Sequence, residues 1–214
     1  PLGLAFRKLP PFLFPCSVYG YLQLGEPENV QKYDEAQLRS FWNRQKARPW
    51  VLAVSGDFDR DQILAFAKSL PAPDQRKVDV PVPAWGTRPE LDIPMPGRNQ
   101  AHLMLIFKTA PDTSPDTPAL DLLETSLGGM GGPLFRDLRD KQGLGYTVTA
   151  FNRQTSENGY MVFYIGTEPG KMAQAEEGFK DQIEKSKNVT PEQLREIVKK
   201  YLDVDSAYTI KVLP

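Results

Sequence analysis

Two segments of the chain share one pattern of polar and apolar positions. Each begins with a residue suited to N-capping, has glutamine three positions later as in a capping box, and then places apolar residues at helical spacing. These segments are residues 34–42 and residues 190–198. A strand-like stretch follows each predicted helix, at residues 50–55 and 207–212. The repetition indicates either a duplication whose first copy has lost its front or a coincidence between two common helix starts.

Between the two repeated segments lies a stretch rich in proline, a residue that interrupts regular helices. The prolines of this stretch are Pro71, Pro73, Pro81, Pro83, Pro89, Pro94 and Pro96. We therefore expect a semi-extended linker at 76–98, an incomplete first body at 1–75 and a second body at 99–214.

The second body alternates strand and helix patterns. The predicted order is a strand at 101–107, a helix from Thr117 to Gly128, a short helix from Pro133, a hairpin of strands at 146–151 and 159–165, and helices at 170–187 and 190–198 before the last strand. The hairpin interrupts strict strand–helix alternation, which argues against a parallel Rossmann-like sheet. The pattern favours an α+β fold, a two-layer α/β sandwich with an antiparallel or mixed sheet and helices on one face.

Composition narrows the functional classes. The chain has 214 residues, 40% of them hydrophobic, and a net charge of −1, so we expect a folded, soluble protein that binds neither nucleic acid nor a membrane. The single cysteine, Cys16, excludes an internal disulfide and a cysteine-rich zinc site. The N-terminus resembles a processed or truncated end more than a signal sequence. Localisation stays unknown, with the cytoplasm or periplasm expected if the source is bacterial.

Arg139 and Tyr146 are the strongest candidates for a functional site. The arginine lies near the end of a predicted helix, and the tyrosine follows a turn that contains Gly143 and Gly145. A guanidinium and a phenol aimed at one point are donors that could hold a peptide carbonyl and stabilise an oxyanion. The alternative is that Arg139 pairs with a nearby surface carboxylate while Tyr146 fills a sheet edge.

A glycine-rich stretch precedes these residues and contains Gly128, Gly129, Gly131 and Gly132. A phosphate-binding loop is disfavoured, because no Gly-Lys-Ser/Thr follows and Pro133 has no amide proton to donate. The remaining interpretations are a helix end followed by a hinge, or a loop through which the backbone approaches a partner or substrate.

The chain has one histidine, His102, within an apolar strand. A catalytic zinc commonly has two histidine ligands and a carboxylate, so we predict no metal site in this chain. Catalysis by a serine or by Cys16 together with His102 is disfavoured, since no recognisable nucleophile turn is present.

Three stretches together resemble the signature of the pitrilysin or insulinase-type zinc metallopeptidases. They are residues 127–130, 134–139 and 141–146. Residues 20–28 with 54–58 are similar to the close of that family's first half, and residues 201–214 are similar to the close of its second half. The resemblance extends over most of the chain from about Tyr19.

This resemblance implies two homologous α+β halves that enclose a peptide. The first half carries zinc on a His-x-x-Glu-His motif, and the second supplies an arginine and a tyrosine that grip the substrate, here Arg139 and Tyr146. Gly128, Gly129, Gly131 and Gly132, which precede this pair, are predicted from their sequence to form a hinge or substrate loop. Because no His-x-x-Glu-His occurs in this sequence, zinc is expected in the missing catalytic half.

Two further features depart from the family pattern. Gly131, Gly132 and Pro133 stand where small polar residues and an arginine are usual, which softens the predicted hinge. The helix that ends near Lys187 runs almost directly into the next one, so a segment near residue 188 is deleted or not represented.

The resemblance therefore implies the non-catalytic, substrate-gripping half of a zinc metalloendopeptidase, inactive alone. Its expected partners are the catalytic half, in the same polypeptide or a separate subunit, and an extended peptide substrate. The alternatives are a catalytically dead scaffold or partner subunit of the same family, and a stand-alone peptide-binding module.

Overall fold

The computed structural model describes residues 2–71, 81–189 and 191–214. The chain divides into a sheet unit, Pro1–Leu22 with Val82–Pro214, and a helical unit, Gln23–Pro81. The α-helices are α1 (Leu2–Leu13), α2 (Pro27–Val30), α3 (Glu35–Lys46), α4 (Arg60–Ser69), α5 (Thr117–Gly128), α6 (Met172–Val189) and α7 (Glu192–Tyr201). The strands are β1 (Glu90–Pro94), β2 (Ala101–Thr109), β3 (Gly145–Gln154), β4 (Gly159–Thr167) and β5 (Tyr208–Leu213).

The five strands form one mixed sheet in the order β1-β5-β2-β4-β3. All neighbours pair antiparallel except β1 and β5, which run parallel. In the central strand β2, Leu103 lies opposite Ile165 of β4 and Lys211 of β5. The β3–β4 hairpin closes where the Thr155 N–H donates to the Asn158 carbonyl at 2.8 Å. The predicted α+β class with a mixed sheet is confirmed.

One face of the sheet is covered by α5, α6 and α7. From β2, Leu103, Leu105 and Phe107 face these helices and are at most 1% exposed. The helices contribute Leu120, Leu123 and Leu127 from α5, Ala175, Phe179 and Ile183 from α6, and Leu194, Ile197 and Val198 from α7. Each buried leucine or phenylalanine stabilises the fold by about 1.5–3 kcal/mol, so this layer holds the unit together.

The opposite face is covered by α1, which the sequence pattern did not predict. Ala5, Leu9 and Leu13 are four residues apart, so they form one buried stripe against the other face of β2 and its neighbours. Two consecutive prolines, Pro10 and Pro11, lie inside this helix and obscure the periodicity. The sequence predicted helices on one face of the sheet, and α1 adds a helical layer on the other face.

Strand β1 lies inside the stretch that the sequence predicts as a linker, residues 76–98. Proline borders this strand at Pro89 and occupies its last position, Pro94. Such a position is compatible with a strand because β1 is at the sheet edge and pairs only with β5. Residues 76–80 of the predicted linker lie outside the described part of the chain.

The helical unit contains the first repeated segment. Its predicted capping box is confirmed, since the Asp34 carboxylate accepts from the Gln37 N–H at 2.7 Å and the Gln37 side chain accepts from the Asp34 N–H at 3.0 Å. The cap predicted at Thr190 for the second segment lies outside the described residues. Residues 50–55 form no strand in the described part of the unit, which corrects the prediction there. A strand needs a hydrogen-bonded neighbour.

His102 is a buried titratable group on the α1 face of the sheet. It is 4% exposed, and its Nδ1 lies 2.7 Å from the Tyr164 hydroxyl. Burial lowers the pKa of His102 below its usual value because the imidazolium loses hydration. Burial also raises the pKa of Tyr164 to about 12, so the phenol stays neutral.

We expect the free energy of unfolding to fall on mild acidification. The folded state binds a proton at His102 less readily than the unfolded state, so stability is complete above about pH 6.5 and declines as the pH falls toward the folded pKa. Urea unfolding of the wild type between pH 8 and pH 5 measures this decline. His102→Gln cannot titrate and should flatten the profile; an equally steep profile in that variant would contradict the assignment.

Candidate functional site

A π-helix, Leu134–Lys141, connects the glycine-rich stretch to β3. The sequence predicted a short helix here, and the structure gives it the wider π geometry, which is rare and is frequently found at functional sites. It ends where Gly143, at φ 59°, donates its N–H to the Arg139 carbonyl at 3.0 Å. The left-handed conformation of Gly143 turns the chain sharply toward β3.

The π-helix is anchored by two buried leucines. Leu134 and Leu138 are both 0% exposed and belong to the helix-side core. A Cβ at position 178 of α6 would lie 2.5 Å from the Leu138 Cδ2 atom, so Gly178 provides the space that Leu138 fills. This packing fixes the backbone of the adjacent Arg139.

Tyr146 is the extra residue of a β-bulge at the start of β3. Gly145 lies opposite Thr167, and Thr147 lies opposite the next residue of β4, Gly166, so Tyr146 has no opposite residue. Bulges change the direction of a side chain and are frequent beside active sites. The close approach requires glycine at 145, because a Cβ there would lie 2.1 Å from the Gly166 carbonyl oxygen. The Tyr146 side chain is consequently presented to solvent, at 77% exposure.

Arg139 and Tyr146 converge in the structure. The Arg139 Cζ atom lies 4.6 Å from the centroid of the Tyr146 ring. The same atom lies 4.2 Å from the centroid of the Phe135 ring. The guanidinium thus contacts two aromatic rings, one from its own helix and one from β3, at cation–π distance.

The guanidinium of Arg139 has no hydrogen bond or ion pair within the described residues. The nearby acid Asp137 is occupied by Lys141 at 2.8 Å and by Arg136 at 3.5 Å. The hydrogen bond from Lys141 lowers the pKa of Asp137 below its usual value, which keeps this carboxylate ionised. The predicted alternative, in which Arg139 pairs with Asp137, Asp140 or another surface carboxylate, is therefore not the geometry observed among the described residues. The N–H donors of Arg139 remain available.

The four candidate glycines have different surroundings. A Cβ at Gly128 would lie 2.5 Å from the Ala150 carbonyl oxygen, and one at Gly132 would lie 2.5 Å from the Leu127 carbonyl oxygen. A Cβ at Gly129 would lie 3.0 Å from the Thr125 carbonyl oxygen, and one at Gly131 would meet no atom within 4 Å. Gly128 and Gly132 therefore permit close backbone packing, whereas a hinge or substrate-loop role for all four stays a prediction.

The described residues do not fit a zinc site. His102 is engaged with Tyr164 on the α1 face. Within residues 2–71, 81–189 and 191–214, no group of three or more histidine, cysteine, aspartate or glutamate side chains could hold a metal ion. Zinc chemistry is therefore not assigned to any residue described here.

Sequence reasoning did not identify Phe135 or the bulge. The phenylalanine was detectable in principle, because it precedes Arg139 by four positions and such pairs share a helix face. The bulge depends on the pairing register of β3 with β4, which the sequence of one strand does not specify.

The sheet unit has the α+β arrangement that the resemblance implies for a half-domain of this peptidase type. The family model described as peptidase M16 inactive domain matches residues 34–202. The chain belongs to this family, which confirms the resemblance found in its motifs.

Comparison with known proteins supports this assignment. The chain is 27% identical over 174 residues to an uncharacterised zinc protease of Mycobacterium tuberculosis, a match that covers 75% of this chain and 40% of the relative. The chain thus spans less than half the length of this curated relative. No helix in the described ranges is long and apolar enough to cross a membrane.

Two solved structures have the same fold. The peptidase M16 inactive domain from Pseudomonas fluorescens superposes with a TM-score of 0.81 at 20% identity, covering 99% of this chain and 65% of the other. A protease from Helicobacter pylori superposes with a TM-score of 0.82 at 16% identity, covering 100% of this chain and 67% of the other.

We expect Gly132→Ala to destabilise the chain by about 1–3 kcal/mol, because the added methyl group has no space beside the end of α5. Gly131→Ala is the matched control and should cost much less, since its Cβ meets no atom within 4 Å. Urea unfolding measures both. Equal losses in the two variants would show that backbone freedom, not packing, determines the requirement for glycine.

Proposed function

We propose that this chain is the non-catalytic, substrate-gripping half of a zinc metalloendopeptidase that hydrolyses peptides. The observation that supports this most directly is the Arg139 guanidinium, which lies at cation–π distance from two rings and has no hydrogen-bond partner in the described residues. The family membership of the chain and its relatives named as zinc proteases also support peptide hydrolysis as the reaction class.

In this proposal, Arg139 and Tyr146 act on the scissile peptide carbonyl. The guanidinium offers donors in a fixed plane, which suits a planar oxygen acceptor. The Tyr146 hydroxyl, on a residue 77% exposed, can supply a second donor. Both groups would orient the carbonyl and stabilise negative charge that develops on its oxygen. Neither transfers a proton.

The proposal assigns hydrolysis to a catalytic half that lies outside this chain. That half, in the same polypeptide or a separate subunit, would hold the zinc ion. The relative from M. tuberculosis is named a zinc protease, and the match covers only 40% of its length, which leaves room for a second half in a protein of that size.

The helical unit, Gln23–Pro81, supports an incomplete first half for the part of residues 1–75 that it contains, whereas residues up to Leu22 belong to the sheet unit. Its α3 carries Leu38, Phe41 and Trp42 at helical spacing, yet they are 56%, 54% and 61% exposed. In the described part of α3 no residue is buried. An apolar stripe of this kind normally packs against a core. We propose that the missing part of the catalytic half covers it and supplies a strand neighbour for residues 50–55.

We expect substitution of Arg139 or Tyr146 to lower turnover in the complete protease. Arg139→Ala should reduce kcat/KM by about tenfold or more, the loss typical of a donor to a developing oxyanion. Tyr146→Phe should also lower kcat, because it retains the ring but removes the hydroxyl. Cleavage of an unstructured peptide, measured at several substrate concentrations, gives both parameters.

Arg136→Ala is the matched control for that experiment. Arg136 lies on the same π-helix but pairs with Asp137 at 3.5 Å, so its removal should leave kcat/KM within about twofold of the wild type. Wild-type rates in all three variants would contradict the gripping role. If a partner subunit cleaves peptides only when this chain is present, irrespective of Arg139, the scaffold alternative holds instead.

We also expect Trp42 and Trp50 to become protected in the presence of the catalytic half. Their exposures here are 61% and 41%, and burial of apolar surface would drive the association. Hydroxyl-radical footprinting with mass spectrometry gives the oxidation rate of each tryptophan. Trp85 is the internal reference, because its ring centroid lies 4.7 Å from that of Phe14. Unchanged oxidation of Trp42 and Trp50 would argue against a covering first half.

A further inference from the structure

Phe135 contacts the guanidinium of Arg139 but is not needed to fill the core. Its ring centroid lies 4.2 Å from the Arg139 Cζ atom, closer than the Tyr146 ring at 4.6 Å. The side chain is half-buried and belongs to neither buried cluster of the described residues. Its packing role is therefore small compared with that of the adjacent, fully buried Leu134.

The position of Phe135 in the chain makes it a rigid support. It precedes Arg139 by four residues on the π-helix, and Leu134 anchors the backbone beside it. A phenylalanine ring has two rotatable side-chain bonds, so it restricts its neighbour at a small entropic cost. Tyr146, in contrast, lies on another element and is largely exposed.

Contact with two rings has a defined effect on a guanidinium. Aromatic rings attract the planar cation through its face, and the N–H donors lie in the plane of the group, at its edge. A ring that stacks on the face of a guanidinium therefore leaves the donors free while it restricts rotation of the side chain. An arginine held in this way loses less entropy when it binds a planar acceptor such as a peptide carbonyl.

We infer that Phe135 is a positioning residue, which acts through Arg139 by holding the guanidinium in the plane that receives the substrate carbonyl. This inference rests on the proposed function, because it assigns Phe135 to the same site. Nothing in the resemblance or in the family match assigns a role to this residue.

The test is a double-mutant cycle in the complete protease, with Phe135→Leu and Arg139→Ala alone and combined. Phe135→Leu should lower kcat/KM about three- to tenfold, the range expected for loss of one partly exposed cation–π contact. In the Arg139→Ala background it should have no further effect, because the group that it positions is gone. Phe135→Tyr retains a ring and should restore activity to near the wild-type value.

Phe151→Leu is the matched control. Phe151 is also half-buried beside an arginine, with the Arg153 Cζ atom 5.6 Å from its ring centroid. It belongs to a different pair and, unlike Phe135, packs against the cluster on the α1 face. It should leave kcat/KM within about twofold of the wild type. Thermal unfolding of every variant identifies any loss of activity that comes from loss of fold.

The outcomes separate this inference from the proposed function. If Arg139→Ala lowers kcat/KM but Phe135→Leu does not, the positioning role is wrong and the gripping role stands. Equal losses from Phe135→Leu in the presence and absence of Arg139 would likewise overturn the positioning role, because Phe135 would then act by another route. If Arg139→Ala has no effect, the proposed function itself fails.

Discussion

The burial of Leu138 against Gly178 is the contact on which the candidate site depends. Leu138 is fully buried, and a side chain at position 178 would collide with it. In an interior packed at this density, extra atoms force side chains or backbone to shift at a cost in free energy. The core of the sheet unit therefore determines where the π-helix lies and hence where Arg139 projects.

Successive positions of the π-helix have separate tasks. Leu134 and Leu138 face the core, Asp137 pairs with Lys141 and Arg136, and Arg139 contacts the ring of Phe135. Because Asp137 is already paired with two other cations, it does not pair with Arg139. This arrangement leaves the Arg139 guanidinium with free N–H donors beside the exposed Tyr146.

The sequence predicted the class of the fold and the convergence of Arg139 with Tyr146, because both follow from local patterns and from a family motif. It did not predict α1, whose buried stripe is masked by two internal prolines. The strand expected at residues 50–55 did not form, since a strand depends on a neighbour that the described chain does not supply. The bulge at Tyr146 and the ring of Phe135 depend on register and packing between elements, which local periodicity does not encode.

The position of β5 has a consequence for how the sheet unit is assembled. This strand is the last in chain order, yet it lies between β1 and β2 and pairs with both. During synthesis, β1 and the adjacent edge of β2 therefore stay unpaired until residues 208–213 leave the ribosome. Open strand edges promote association with other chains. The sheet is thus completed only after translation of nearly all of this sequence.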